Sequence, residues 1–280
     1  MNPNFKVHND IKLAETLPAK FYKDKLMFES IKNKIFLKCW HWIGDSKELS
    51  EENIIKPINV LPEFLDEPIL LTRPEKKQIK CFSNVCTHRG NILIDKKCKS
   101  RKITCKYHGR RFNNKGEFEF MPEFNETKNF PRDCDNLHSF QLFSWHSLLF
   151  VGFNPDYKIE SIFKKINNRV SFLPLENIEL FEDFSKDYVI DANWALYCDN
   201  YLEGFHVPFV HKDLNEVLDY NNYDTEVDEY FNLQIGYSKN QNECFEIPKN
   251  HQDYGKKIAA YYYWLFPNLM LNFYPWGISV

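Results

Sequence analysis

The sequence predicts an α+β chain in two parts, and three observations carry that prediction. Short strand-like runs separated by turn residues fill residues 39–155. A polar stretch from 154 to about 170, rich in Lys and Asn, follows as a connection. Beyond it a helix pattern opens near Trp194, and an aromatic, strand-like run closes the chain from Ile258 to Tyr274. At 280 residues the chain is long enough for two domains. The expected divisions are an N-terminal arm and helix over 1–38, an all-β domain over 39–155, and a second domain over 170–280.

Residues 1 to about 17 read as a loose arm. Pro18 then precedes apolar positions at 21, 22, 26, 28 and 31, an amphipathic helix of imperfect period. Ile35 to Trp40 reads as a first strand. Pro68 to Arg73 reads as another, and Pro74-Glu75-Lys76-Lys77 as a charged turn. Gln78 to Asn84 delivers Cys86 to a loop tip, and Ile103-Thr104 does the same for Cys105. Asn113 to Gly116 is a hairpin turn, followed by the alternation Glu117-Phe118-Glu119-Phe120. Leu142 to Phe153 closes the all-β domain.

Composition narrows the function classes. Hydrophobic content of 43% and aromatic content of 16% suit a packed globular protein. A net charge of −3 gives no electrostatic case for nucleic acid. Eight Cys, at 39, 81, 86, 98, 105, 134, 198 and 244, are scattered through a chain too long to need disulfide staples, and four of them form no pattern. They read as reduced thiols. The polar N-terminus lacks an export signal, and no apolar run approaches the ~20 residues of a membrane span. The expected compartment is the cytoplasm, with no membrane partner.

Chemistry concentrates first between Cys86 and His108. Cys86-Thr87-His88-Arg89-Gly90 and Cys105-Lys106-Tyr107-His108-Gly109 each offer one thiolate and one imidazole. This is the ligand set of a Rieske [2Fe–2S] centre, in which two His replace two Cys on one iron. Cys86 and Cys105 would hold the first iron, His88 and His108 the second. Zinc accepts the same atoms, but zinc fingers usually bring two Cys from one loop and two His from another. A colourless zinc module is the alternative here.

A second constellation runs from Asn193-Trp194 to His211, with the spacing Glu203-x2-His206-x4-His211. Asp191 or Asn193 can cap a helix that starts near Trp194. On that helix Glu203 and His206 share a face. His206 and His211 would be splayed by ~140° on an unbroken helix. Pro208 breaks it between them, so both imidazoles can reach one metal. Two His and a carboxylate with open positions form the facial triad of non-haem Fe(II) oxygenases. Ordinary buried histidines are the plainer alternative.

The two constellations together resemble the Rieske non-haem iron oxygenases, the large (α) subunits of ring-hydroxylating oxygenases and their choline monooxygenase-like relatives. The resemblance covers most of the chain and is strongest at Asn84–Gly90, Cys105–Gly109 and Asn193–His211. It implies that the second domain is a helix-grip (START-like) antiparallel sheet and that His206 and His211 bind a mononuclear Fe(II). It implies that Glu203 is the electron bridge to a cluster His of a neighbouring subunit, the equivalent of His108, in a homotrimer. The run from Ile258 to Tyr274 resembles the strands that line the family's substrate pocket. Its aromatic wall suits a quaternary ammonium, although alternation turns half of the side chains away.

Three departures stand out. The usual bridge is Asp, and Glu203 is the longer form seen among quaternary-ammonium oxygenases. Arg110 stands where a Trp commonly follows His-Gly, an expected change in how a reductase docks. The family's third iron ligand is an Asp on a C-terminal helix beyond residue 280, whereas this sequence ends at Val280 in what reads as mid-sheet. The expectation is an incomplete C-terminus; otherwise Glu203 or Asp199 would complete the site. The resulting expectation is an oxygenase subunit that takes electrons from a separate NAD(P)H-dependent reductase. It would use O2 to hydroxylate or N-demethylate a small substrate, a quaternary amine first and an aromatic ring next. The alternative is a Rieske electron carrier with a non-catalytic second domain.

Overall fold

The structure is a computed structural model and describes residues 5–75, 78–211, 216, 218–239 and 243–280. The chain divides into two compact units. One comprises Phe36–Asn168 with Leu175–Leu180; the other comprises Met1–Ile35, Arg169–Pro174 and Phe181–Val280. No helix among the described residues is long and apolar enough to cross a membrane.

The N-terminal helix is two helices, α1 (Ala19–Lys23) and α2 (Lys25–Lys34). Asp24 divides them, because its extended backbone ends α1 while its carboxylate accepts from the N–H groups of Leu26 and Met27. The strand expected over Ile35–Trp40 is instead a 3-10 turn at Phe36–Lys38, and the first strand starts at Trp40.

The strands of the first unit are β1 (Trp40–Asp45), β2 (Ile54–Val60), β3 (Glu67–Glu75), β4 (Gln78–Ser83), β5 (Cys98–Lys99), β6 (Lys102–Thr104), β7 (Arg111–Asn113), β8 (Phe118–Phe120), β9 (Gln141–Trp145) and β10 (Leu148–Gly152). They form antiparallel sheets in the orders β1-β10-β9, β4-β3-β2-β5 and β6-β7-β8. The expected charged turn at 74–77 begins later than its sequence suggests, since Pro74 and Glu75 extend β3, and Lys76-Lys77 lie outside the described residues.

Strand alternation decides where the metal loops sit. Leu70 of β3 points into a core shared with Ile55, Phe82, Ile103, Phe112, Cys86 and Cys105. Its neighbours Ile69 and Leu71 point the other way, into a core with Ile43, Leu49, Val60, Leu149 and Val151. The cysteine loops are therefore anchored on a packed face.

Residues 154–170 are more than a connection. Ile159–Val170 forms α3, whose Ile159, Ile162, Phe163 and Ile166 are buried. Phe163 meets Phe143, Trp145 and Phe150 with ring centroids 5.4, 5.0 and 4.9 Å away. The apolar period of 3.6 makes the helix, and its Lys and Asn residues are simply the outer face.

In the second unit, α4 (Trp194–Tyr201) and α5 (Val207–Val210) precede a five-stranded antiparallel meander. Its strands are β11 (Leu218–Val227), β12 (Phe231–Ser238), β13 (Ile258–Leu265), β14 (Leu269–Tyr274) and β15 (Gly277–Ser279), paired in sequence order. Tyr261 and Tyr263 of β13 are fully buried on one face, while Tyr262 between them points to the other. The chain is thus α+β, an all-β unit followed by a helix-and-antiparallel-sheet unit.

Candidate metal centres

The two cysteine loops share one backbone design. Gly90 N–H donates to the Cys86 carbonyl and Gly109 N–H to the Cys105 carbonyl, both at 3.0 Å. Both glycines have φ of +72°, a conformation that side chains with a Cβ resist. Each cysteine N–H then closes its loop at 2.8 Å, on the carbonyl of Asn91 or of Arg110.

This design buries the sulfurs and leaves the imidazoles half-buried toward the rim. Cys86 and Cys105 are 3% and 2% exposed. Burial opposes ionisation of Cys105, but the N–H groups of Tyr107 and His108, the Cys86 thiol and the Asn91 amide outweigh it and hold this thiol below its usual range. Burial pushes the Cys86 thiol up, although the His88 N–H and the Arg110 charge work against it. His88 and His108 stand with ring centroids 4.7 Å apart. Burial, then the charges of His108, Arg89 and Arg110, keep His88 neutral, the form that binds metal. Its Nδ1 is buried without a hydrogen-bond partner. An orphaned imidazole nitrogen beside paired thiols fits a [2Fe–2S] cluster well.

Arg110 does not lie on a docking surface. It is 3% exposed, and its guanidinium pairs with Asp135 Oδ1 at 2.7 Å. The expectation that it alters reductase docking is corrected, because the side chain is buried in an ion pair rather than presented at the surface.

The second centre is built differently from its sequence expectation. Helix α4 ends at Tyr201, so Glu203 and His206 do not share a helical face. The chain turns through Gly204, and Glu203 then accepts from the Phe205 N–H and lies 2.5 Å from His206 Nδ1. Pro208 sits in the first turn of α5 and helps to start that helix. His206 is its N-cap and His211 its C-cap, and one helical turn brings their ring centroids to 5.1 Å.

With His206 Nδ1 held by Glu203, Nε2 is left for a metal, the usual carboxylate–histidine arrangement around such ions. The two imidazoles therefore fit a mononuclear iron, with Glu203 acting through His206. Asp199 accepts from the Tyr22 hydroxyl at 2.6 Å and is turned away from this place. Among the described residues no group of three His, Cys, Asp or Glu side chains converges on one point.

Glu203, His206 and His211 are among the residues that line a cavity of ≈ 240 Å³. Tyr197, Tyr201, Tyr223 and Tyr262 supply much of its remaining wall. Gln234 fixes that wall, donating to the Tyr201 carbonyl at 2.9 Å and accepting from the Tyr223 hydroxyl at 3.1 Å. Sequence reasoning does not single out Gln234 or Tyr223, because their meeting depends on the β11–β12 pairing. Asn91, which donates to Cys105 Sγ at 3.7 Å, carries a weak signal as the residue after a Cys-x-His-x-Gly loop.

Comparison with known proteins settles the family. The family model for the Rieske [2Fe–2S] domain matches residues 39–131, and that for the ring-hydroxylating α subunit catalytic domain matches 178–280. The chain belongs to the Rieske oxygenases. This oxygenase chain is 29% identical to the carnitine monooxygenase oxygenase subunit of Escherichia coli K12, over 94% of its own length and 68% of the relative's. It is 25% identical to the chloroplastic choline monooxygenase of Arabidopsis thaliana, over 94% of its own length and 63% of the relative's. Its fold is similar to a quaternary ammonium Rieske monooxygenase, with a TM-score of 0.73 at 22% identity, over 94% of this chain and 69% of that one. It is also similar to the naphthalene 1,2-dioxygenase of Rhodococcus sp., with a TM-score of 0.69 at 19% identity, over 92% and 64% of the two chains. The Rieske domain implies a [2Fe–2S] cluster and the catalytic domain a mononuclear iron.

Proposed function

We propose that this chain is the oxygenase subunit of a Rieske monooxygenase that hydroxylates or N-demethylates a quaternary amine. In this reading Cys86, His88, Cys105 and His108 hold the cluster, His206 and His211 hold the iron, and Glu203 is the bridge. The cluster supplies single electrons, and the iron supplies the O2 chemistry that side chains lack. The observation that carries the reading is the hydrogen bond that His206 Nδ1 donates to Glu203 in the lining of a tyrosine-rich cavity. Glu203 fixes the imidazole's tautomer and orientation. The tyrosine faces offer cation–π attraction to a trimethylammonium group, about 0.5–2 kcal/mol for each good contact. Carnitine and choline, in the names of the relatives, are both such amines. An aromatic ring, as in the naphthalene dioxygenase, is the second substrate class.

The partners proposed are an NAD(P)H-dependent reductase and two further copies of the chain, in a homotrimer where Glu203 faces the His108 of a neighbour. The six cysteines other than Cys86 and Cys105 form no disulfide and suit a reducing compartment, and we place the protein in the cytoplasm.

Oxygen uptake tests this against the electron-carrier alternative. With a compatible reductase and NAD(P)H, choline or carnitine should raise oxygen consumption and yield oxidised product. Glu203→Gln should keep the visible spectrum of the cluster while turnover falls 10–100-fold, the usual cost of losing a carboxylate behind a metal-bound His. A cluster that is reduced and reoxidised while both amines and naphthalene stay intact would favour the carrier.

A further inference from the structure

A buried cation lies beside the second cysteine loop. Arg110 directly follows His108-Gly109, and its guanidinium is enclosed by three phenyl rings. The distances to their centroids are 5.0 Å for Phe118 and 5.7 Å for Phe112 and Phe130. Nη2 donates to Asp135 twice, to Oδ1 at 2.7 Å and to the backbone carbonyl at 3.1 Å. That carbonyl also accepts from Thr87 Oγ1 at 2.8 Å, and Thr87 lies between Cys86 and His88. Asp135 therefore fastens both cluster loops, one through Thr87 and the other through Arg110. Its second oxygen, Oδ2, is taken by the Arg132 N–H at 2.8 Å and by Arg132 Nε at 3.5 Å.

We propose that Arg110 raises the reduction potential of the [2Fe–2S] cluster through its buried charge, with Asp135 as the residue that positions it. The proposal rests on the reading that Cys86, His88, Cys105 and His108 hold that cluster. Reduction adds one electron and makes the cluster more negative. A cation held nearby, where water screens it little, stabilises the reduced state more than the oxidised one. Arg110 is always protonated, so the effect is permanent. The phenyl cage excludes water and favours a cation over a neutral group.

The midpoint potential of the purified chain, measured by dithionite titration with mediators and followed at the visible bands, tests this. Arg110→Gln should lower the potential by a tenfold shift in the one-electron equilibrium or more, 59 mV per tenfold. Arg110→Lys, which keeps a charge, should lie closer to wild type than Arg110→Gln. Asp135→Asn leaves the cation without its counter-charge and should raise the potential. Shifts of opposite sign on the two sides of one ion pair are what a merely structural role would not give. Potentials that stay at the wild-type value, or that move together in one direction, overturn the proposal. If Arg110→Gln fails to assemble a cluster, the rise expected in Asp135→Asn still decides. A wild-type chain without sulfide or visible bands would remove the cluster reading itself and this proposal with it.

Discussion

An imidazole can donate, accept or bind metal, and its surroundings choose among these. His41 and His88 illustrate the choice within one unit. His41 is 4% exposed, with Nε2 2.7 Å from the Phe36 carbonyl. Burial holds it below the usual imidazole range, so it is neutral in the folded chain. Unfolded, it takes up a proton near pH 6.5. A depressed imidazole contributes stability that is present above about pH 6.5 and is lost as pH falls toward its folded value, by up to about 1.4 kcal/mol per pH unit. Urea unfolding between pH 7.5 and 5.5 should show this loss, and His41→Gln should flatten it. Identical slopes in both proteins would contradict the assignment. His88 has no such carbonyl, and its free nitrogen suits a ligand. Spacing alone does not separate these two histidines, because Cys39-Trp40-His41 repeats the Cys-x-His of Cys86-Thr87-His88; what marks His88 is the Gly two residues on and the second loop, Cys105 to Gly109. It cannot reveal the pair Arg110 and Asp135, whose members lie 25 residues apart and meet only through the fold.

At the scale of elements, spacing was legible and endings were not. The strand-like runs at Pro68–Arg73 and from Gln78 become β3 and β4, the alternation at 117–120 becomes β8, and the hairpin at Asn113–Gly116 appears where its turn residues stand. Helix α3 is missed when its Lys and Asn content outweighs the apolar period at 159, 162, 163 and 166. Helix α4 is placed correctly at its start and wrongly at its end, because Glu203 is drawn to its own neighbours Phe205 and His206. Its start depends on Asn193, whose Oδ1 accepts from the Ala195 N–H at 3.0 Å while Nδ2 donates to the Tyr22 carbonyl at 3.0 Å. Asn193→Ala removes the cap and the tie to α1. It should destabilise the second unit by about 1–2 kcal/mol in denaturant unfolding, the usual cost of a lost cap. A loss within a few tenths of a kcal/mol would show that tertiary packing alone holds α4.

For the molecule as a whole, the chain spans about two thirds of the length of the relatives it matches, 68% and 63% for the two compared above. Within that span lie two compact units with two unlike candidate metal centres, one of thiols and imidazoles and the other of imidazoles beside a carboxylate. The candidate ligand sets stand out in the sequence because metals demand fixed atom types at close spacing. The cavity was legible only in part, since Tyr262 lies in a conspicuous aromatic strand while Gln234 and Tyr223 have no local signal. The most direct test is to measure iron, acid-labile sulfide and zinc in the purified protein beside its visible spectrum. A cluster together with a mononuclear iron requires roughly three irons for every two sulfides. Iron equal to sulfide would contradict the oxygenase by leaving His206 and His211 without metal, and zinc without sulfide would contradict both centres.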